Sequence, residues 1–158
     1  MPRDILTQRG HIVHGLPPVA DAFAGTVYSD ILNMSNSHGC EFLIYKGVGT
    51  TGTSTVTVEA CDDVSGSNVV AIPFRYRANL AADTWGAVTT ATTAGFVTTA
   101  GSNHLYEIIV DADELGDTGY KYVRLKMVEV ADSEVLGGIL WINHEPRSAQ
   151  DVPATVLT

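Results

Sequence analysis

Positively charged residues, cysteines and long apolar runs are all scarce in this sequence. Its 158 residues include 9 Lys and Arg against 18 Asp and Glu, which gives a formal net charge of −9. So few basic residues argue against nucleic-acid binding, because a phosphate backbone requires a basic surface. No stretch approaches the roughly 18 apolar residues of a membrane span, and the N-terminus lacks the apolar core of a signal peptide. We therefore expect a chain that is made in a cytoplasm and binds neither nucleic acid nor membrane.

The two cysteines, Cys40 and Cys61, are expected to be free and buried, because thiols stay reduced in a cytoplasm. A chain of this length buries roughly two thirds of the surface of its unfolded form, so its core needs no disulfide. Charged residues make up only 17% of the chain, below the roughly 25% of an ordinary soluble domain. Thr, Ser, Gly and Asn fill much of the remainder, and this composition favours β-structure over helices.

Short β-branched and aromatic runs, separated by Gly, Asn, Asp and Ser clusters, predict about eight strands. Apolar and polar residues alternate from Ser54 to Cys61, which is typical of a strand with one buried face. The region 78–95 predicts an exposed loop or an irregular edge hairpin. Together these patterns predict an all-β, antiparallel sandwich, either jelly-roll or immunoglobulin-like. The predicted strands are 26–33, 40–47, 54–61, 69–77, 95–100, 104–111, 119–130 and 135–143.

The first 25 residues predict a segment separate from the sandwich. Glycines and prolines, including the Pro17–Pro18 pair, interrupt any periodicity, which indicates an extended arm. This arm carries too many apolar residues for a solvated linker, so it is expected to pack on something. After the last strand, Pro146 and Pro153 lead into a tail without a periodic face. The sequence thus predicts an arm over 1–25, a sandwich over 26–145 and a tail over 146–158.

Two groups of residues are candidate metal sites. The acidic run Asp111–Asp117 has spaced carboxylates and a glycine, as calcium loops do. It places Leu115 and Tyr122 where oxygen ligands belong, so a solvated turn is the better interpretation. His11 and His14 have i, i+3 spacing but lack further ligands nearby, which argues against zinc. No metal or cofactor is therefore predicted.

Two motifs are candidates for a catalytic site and a nucleotide-binding site. His38 and Cys40 lie close in sequence, but a Cys–His pair acts only when the fold brings the partners together, so an inert thiol is expected. The segment Gly47–Gly52 satisfies a G-x-G-x-x-G search, yet a strand follows it where a phosphate-binding loop requires a helix. A hairpin loop is the better interpretation, and the chain is predicted not to be an enzyme.

Aromatic side chains supply one further binding hypothesis. β-Sandwich modules bind sugars on exposed aromatic rings, although most strand aromatics belong to the core. Trp85 lies outside every predicted strand and is the preferred candidate for a surface contact. The other aromatics considered are Tyr106, Tyr120, Tyr122 and Trp141.

Four segments, 56–63, 71–77, 106–115 and 122–126, together with the ending Glu145-Pro146-Arg147, resemble a known family of small structural proteins. That family is the head decoration, or cement, proteins of tailed bacteriophages, and the similarity spans roughly residues 40–147. The resemblance implies a β-rich protein that coats the outer capsid surface of the virion after synthesis in the host cytoplasm. It implies the major capsid protein as partner and a homo-oligomer, with a trimer favoured and a dimer possible.

The predicted arm fits this function independently, because extended apolar segments can lie across neighbouring subunits or add a strand to a sheet edge. The negative net charge suits a coat that must not bind the packaged genome. Two alternatives stay open: a carbohydrate-binding or host-adhesion module, and a neck or tail completion protein. The candidate partner-interface residues are Arg3, Ile5, Leu6, Arg9, Ile12, Val13, Leu16 and Phe23.

Overall fold

Antiparallel strands and one short helix make up the regular structure of the chain. The computed structural model describes residues 10–81 and 83–146. Within them the elements are β1 (Gly10–Val19), β2 (Thr26–Tyr28), β3 (Leu32–Asn33), β4 (Ser37–Gly49), β5 (Thr53–Cys61), β6 (Val69–Ile72), β7 (Phe74–Ala81), β8 (Thr84–Trp85), β9 (Thr89–Ala91), β10 (Phe96–Val97), β11 (His104–Asp111), α1 (Ala112–Gly116), β12 (Tyr122–Ala131) and β13 (Val135–Pro146).

The strands form two sheets that pack face to face. The first sheet has the order β1-β13-β4-β11-β7-β8, with β9 also paired to β7. The second sheet has the order β10-β5-β12-β2, with β6 paired to β5 and β3 paired to β12. The strand order β1-β13-β4-β11 facing β2-β12-β5-β6 is that of a jelly roll, in which two Greek keys wind together. The predicted all-β sandwich is confirmed, and of its two forms the strand order is that of the jelly roll.

One continuous core lies between the sheets. In β5 and β12 the apolar members of each alternating pattern point inward and are fully buried, as the period of two requires. Residues from both sheets contribute to this single cluster. Its largest fully buried side chains are Trp141, Tyr106, Phe42, Phe74, Leu32, Ile44, Ile108, Leu125, Met127 and Ile139.

Two of the predicted connections differ from the structure because the chain changes sheets there. The predicted strand 69–77 is two strands, β6 in the second sheet and β7 in the first, separated by Pro73. Proline has no N–H to donate to a neighbouring strand, so it is well tolerated at the point where the chain leaves one sheet for the other. The loop over 50–52 likewise joins β4 of the first sheet to β5 of the second, so it is not a hairpin within one sheet. The region 78–95 contains β8 and β9, which both pair with β7 as an irregular edge.

The N-terminal segment is part of the sandwich from Gly10 onward. β1 pairs with β13, with Gly10 opposite His144 and Val13 opposite Trp141. The predicted arm over 1–25 therefore differs from the structure across residues 10–25, because β13 offers β1 a free edge to pair with. Residues 1–9 and the predicted tail from 147 lie outside the described residues.

Phe23 fixes the end of this segment in the core. Only 4% of its surface is exposed, and the adjacent Ala22 N–H donates to the carbonyl of Val135 at 3.0 Å. A side chain on Gly137 would meet the Phe23 ring at 2.6 Å, so the ring occupies space that only glycine leaves open. The segment is thus held by a buried aromatic ring as well as by strand pairing.

Lys46 is a buried charge at one end of the sandwich. Its Nζ donates to the carbonyl of Gly52 at 2.7 Å and to that of Thr99 at 2.6 Å. Burial lowers the pKa of Lys46 below its usual value. The two hydrogen bonds connect β4 to the loops that enter β5 and leave β10.

Candidate functional site

The outward faces of the two sheets differ in chemistry. On the second sheet the outward side chains of β5 and β12 are mostly Thr and charged residues. Arg124 donates to Glu59 with a separation of 2.8 Å, and Lys126 Nζ lies 3.4 Å from the same carboxylate. The Arg124 guanidinium also covers the ring of Tyr28 at 4.2 Å. The charges of this face are paired with one another, and Glu59 is buried. The second sheet also has exposed apolar residues near its borders and ends, namely Tyr28, Val69, Val70, Val97, Val128 and Val130.

The outward face of the first sheet is apolar over β1, β13, β4 and one end of β11. Strand register places Ile12 beside Ile142, and Leu140 between His14 and Leu43. Because cross-strand partners share a face, these side chains form one contiguous surface. We call this surface the apolar face; its residues are Ile12, His14, Leu43, Tyr45, Leu105, Leu140 and Ile142.

Several side chains of the apolar face are substantially exposed. The exposed fraction is 38% for Ile12, 39% for Leu140 and 50% for Tyr45. Single exposed apolar residues are ordinary, but contiguous apolar patches on a soluble domain mark interaction sites. The arrangement indicates a surface suited to a protein partner.

A hollow of about 340 Å³ lies within the apolar face. Leu43, Leu105 and Leu140 line it, and the main chain at Leu16 and Pro18 bounds it. Bulges in β1 beyond His14 shift the pairing with β13, and the Leu16 carbonyl lies 3.0 Å from where a Gly138 side chain would begin. A hollow of this size and lining is able to receive one apolar side chain.

A charged band borders the apolar face on β4, β11 and β7. Its residues are Glu41, Glu107, Asp111, Arg75 and Arg77. Arg77 pairs with Glu107, and Arg75 pairs with Asp111. Burial, followed by the charge of Glu107, raises the pKa of Glu41 above its usual value. These pairs give the border a fixed pattern of charge that a partner would have to match.

Trp85 and His144 lie at opposite sides of this band. The Arg77 guanidinium lies 4.7 Å from the centre of the Trp85 ring, so one face of the indole is covered. His144 Nε2 lies 3.6 Å from Glu41 Oε1 at the β13 side. The ring of His144 lies over Gly39, where a side chain would meet it at 2.9 Å.

The structure separates the predicted interface residues into three groups. Ile12 belongs to the apolar face. Val13 and Leu16 pack against the core, with Leu16 also bordering the hollow, and Phe23 lies inside the core. The third group, Arg3, Ile5, Leu6 and Arg9, lies outside the described residues.

Sequence reasoning missed the central residues of the apolar face, although a signal is present. The segments 42–45 and 139–142 are apolar at every position, whereas β5 and β12 alternate. A strand in a sandwich with one solvated face is expected to alternate. Because β4 and β13 do not alternate between apolar and polar residues, their outward side chains are apolar as well as their core-facing ones.

The other motifs are accounted for by local structure. Asp111 begins α1, and its N–H donates to the Glu114 carboxylate at 2.9 Å. Across residues 10–81 and 83–146, no three His, Cys, Asp or Glu side chains come together as a metal site. Cys40 is fully buried, and burial raises the pKa of its thiol well above the usual value, so it is a poor nucleophile; His38 is exposed.

Within the described part of the chain, none of the helices has the length and apolar character needed to cross a membrane. Comparisons of the sequence with protein-family models and with curated proteins, and a comparison with solved structures, found no match.

Proposed function

We propose that the protein is a structural, non-catalytic component of a tailed-phage virion that decorates the outer capsid surface and bridges adjacent major capsid proteins. The observation that carries this proposal is the apolar face with its charged border and the hollow of about 340 Å³ within it. The sequence resemblance to head decoration proteins supplies the identity of the partner. The jelly roll acts as a rigid body and the apolar face as its docking surface.

The contacts available to one copy are individually weak. Fully burying a large apolar side chain contributes about 1.5–3 kcal/mol, and about 40% of Ile12 and Leu140 remains to be buried. Each such residue therefore adds about 1 kcal/mol to docking. A homo-oligomer that engages several capsid subunits at once gains avidity through effective concentration. Decoration by an oligomer, with a trimer favoured by the resemblance, suits such weak single contacts.

The two ends of the described chain lie at one end of the first sheet. Gly10 pairs with His144, and Pro146 pairs with Ser37 on the next strand. The described part of the chain thus begins and ends at neighbouring positions beside the apolar face. We propose that the segments 1–9 and 147–158 reach the adjacent capsid subunit, with Arg3 and Arg9 placed to pair with acidic groups there.

Binding of purified protein to undecorated phage heads tests the proposal. Leu140→Asp is expected to weaken binding at least about tenfold, because docking would bury an unpaired carboxylate. Val128→Asp is the matched control, since Val128 has a similar exposure of 36% on the second sheet. Equal binding by both variants would contradict docking through the apolar face.

A test of the N-terminal segment must delete only residues that the sandwich does not need. Deleting residues 1–24 would remove β1 and Phe23, so lost binding would be confounded with unfolding. Deleting residues 1–9 leaves both in place and tests the terminal segment alone. Full occupancy by this shorter chain would refute the bridging role of the N-terminal segment.

The two alternatives make different predictions. A carbohydrate-binding or adhesion module would bind glycans and lose that binding in Trp85→Ala, using the indole face that Arg77 leaves uncovered. A neck or tail completion protein would be present in few copies at a single vertex. Copy number per particle separates it from a coat protein, which covers the whole head.

A further inference from the structure

β1 is an unusually long free edge. It forms one border of the first sheet, and within residues 10–81 and 83–146 no strand pairs with its other side. It has ten residues, whereas the other border strands described, β2, β3, β6, β8, β9 and β10, have at most four. Natural sheets shorten or protect their edges because a free edge pairs with other strands.

Only the first half of β1 lacks such protection. Bulges begin after His14, Pro17 and Pro18 cannot donate, and the Asp30 N–H already bonds to the Gly15 carbonyl at 2.7 Å. From Gly10 to His14 there is no proline, no bulge and no charged Lys, Arg, Asp or Glu. These five residues are an open edge.

We propose that this edge pairs antiparallel with the same edge of a second copy of the chain, about a two-fold axis at Ile12. That register places Ile12 opposite its own counterpart, His11 opposite Val13, and Gly10 opposite His14. Gly10 has no side chain, so it leaves room for the exposed imidazole that faces it. This pairing is favourable, because Ile12 lies opposite an identical apolar side chain and no two acidic or basic side chains of like charge lie opposite each other.

The pairing has a consequence for the apolar face. The first sheets of the two copies would join into one continuous sheet. The two Ile12 side chains, opposite each other on the axis, would then connect the apolar faces of the two copies. Five residues per copy make a small interface, at the low end for specific association, so the dimer is expected to be weak and concentration-dependent. Such a two-fold unit corresponds to the dimer that the resemblance also allows, in place of the favoured trimer.

Sedimentation of the purified full chain, without capsid, tests this pairing independently of the proposed function. A reversible dimer is expected, and Ile12→Lys should weaken it at least about tenfold, because two ammonium groups would then face each other on the axis. Val130→Lys, at a residue 60% exposed on β12, is the matched control and should leave the dimer unchanged. A chain that stays monomeric at high concentration would overturn the proposal.

Cross-linking fixes the geometry. Ile12→Cys is expected to form a covalent dimer under mild oxidation, since directly opposed residues have Cβ atoms about 4.5–5.5 Å apart. Leu140→Cys lies one strand further in and two residues from the axis, so its counterpart is about 20 Å away and should not cross-link. The native Cys40 and Cys61 are fully buried and do not compete. A dimer that resists Ile12→Lys and fails to cross-link through Ile12→Cys would place the contact elsewhere.

Discussion

Replacing Phe23 by alanine tests whether the N-terminal segment is part of the fold or a separable arm. Phe23 is 4% exposed and lies against Gly137, in a space that a side chain at that position would fill. A free arm would lose nothing measurable when this ring is removed. A docked segment leaves a cavity in the core.

The size of the effect follows from burial. Truncating a buried phenylalanine to alanine typically costs about 3–5 kcal/mol, because transfer free energy is lost and a cavity remains. A domain of this size has a total stability of roughly 5–15 kcal/mol. Phe23→Ala is therefore expected to remove a large share of the free energy of unfolding and to lower Tm by roughly 6–20 °C.

Urea denaturation followed by tryptophan fluorescence is a suitable assay, with Ile12→Ala as the control. Ile12 lies in the same segment but is 38% exposed, so its truncation should cost about 1 kcal/mol or less. The m-value should be unchanged if both variants unfold in one transition. A loss below about 1 kcal/mol for Phe23→Ala would refute the docking of this segment.

Three further predictions concern buried polar groups. Arg124→Met should cost about 3 kcal/mol in urea denaturation, because it strands the buried Glu59 carboxylate with only Lys126 nearby. Lys46→Met should cost about 1–3 kcal/mol, since its two main-chain acceptors lose their donor. Burial raises the pKa of the Cys61 thiol to about 11 in the folded chain. Because this thiol loses its proton at lower pH in the unfolded chain than in the folded one, the free energy of unfolding should fall from pH 9 to 11. Cys61→Ala should lose less stability over that interval.

The sequence predicted the strands well because their signal is local. The predicted strand 104–111 coincides with β11, and 54–61 differs from β5 by one residue. Alternation and flanking turn residues are properties of a few consecutive positions. Assignment of a strand to one sheet or the other is not local, which is why the connection at Pro73 and the loop over 50–52 were interpreted wrongly.

The N-terminal segment shows a second limit. Glycine and proline in β1 suggest an extended segment, and β1 is extended. Its pairing with β13, however, depends on residues that are 118 (Val19 and Gly137) to 134 (Gly10 and His144) positions away. The burial of Phe23 likewise depends on the absence of a side chain at Gly137. Neither relation is visible in a local window of sequence.

The apolar face was only partly predictable. Ile12 was among the candidate residues, but Leu43, Tyr45 and Leu140 were not. The continuous apolar runs of β4 and β13 carry the signal, yet the same runs also occur in strands buried on both faces. Only the sheet order, in which no element among residues 10–81 and 83–146 packs on the outer side of the first sheet, distinguishes a docking surface from a second core.

A reconstruction of phage heads carrying this protein tests the account most directly, because it shows both the location and the orientation of the chain. The account predicts many copies on the outer capsid surface, each with the first sheet toward the capsid and Leu140 and Tyr45 buried at the contact. Copies confined to one vertex, or docked through the outer side of the second sheet around Arg124 and Val128, would contradict it.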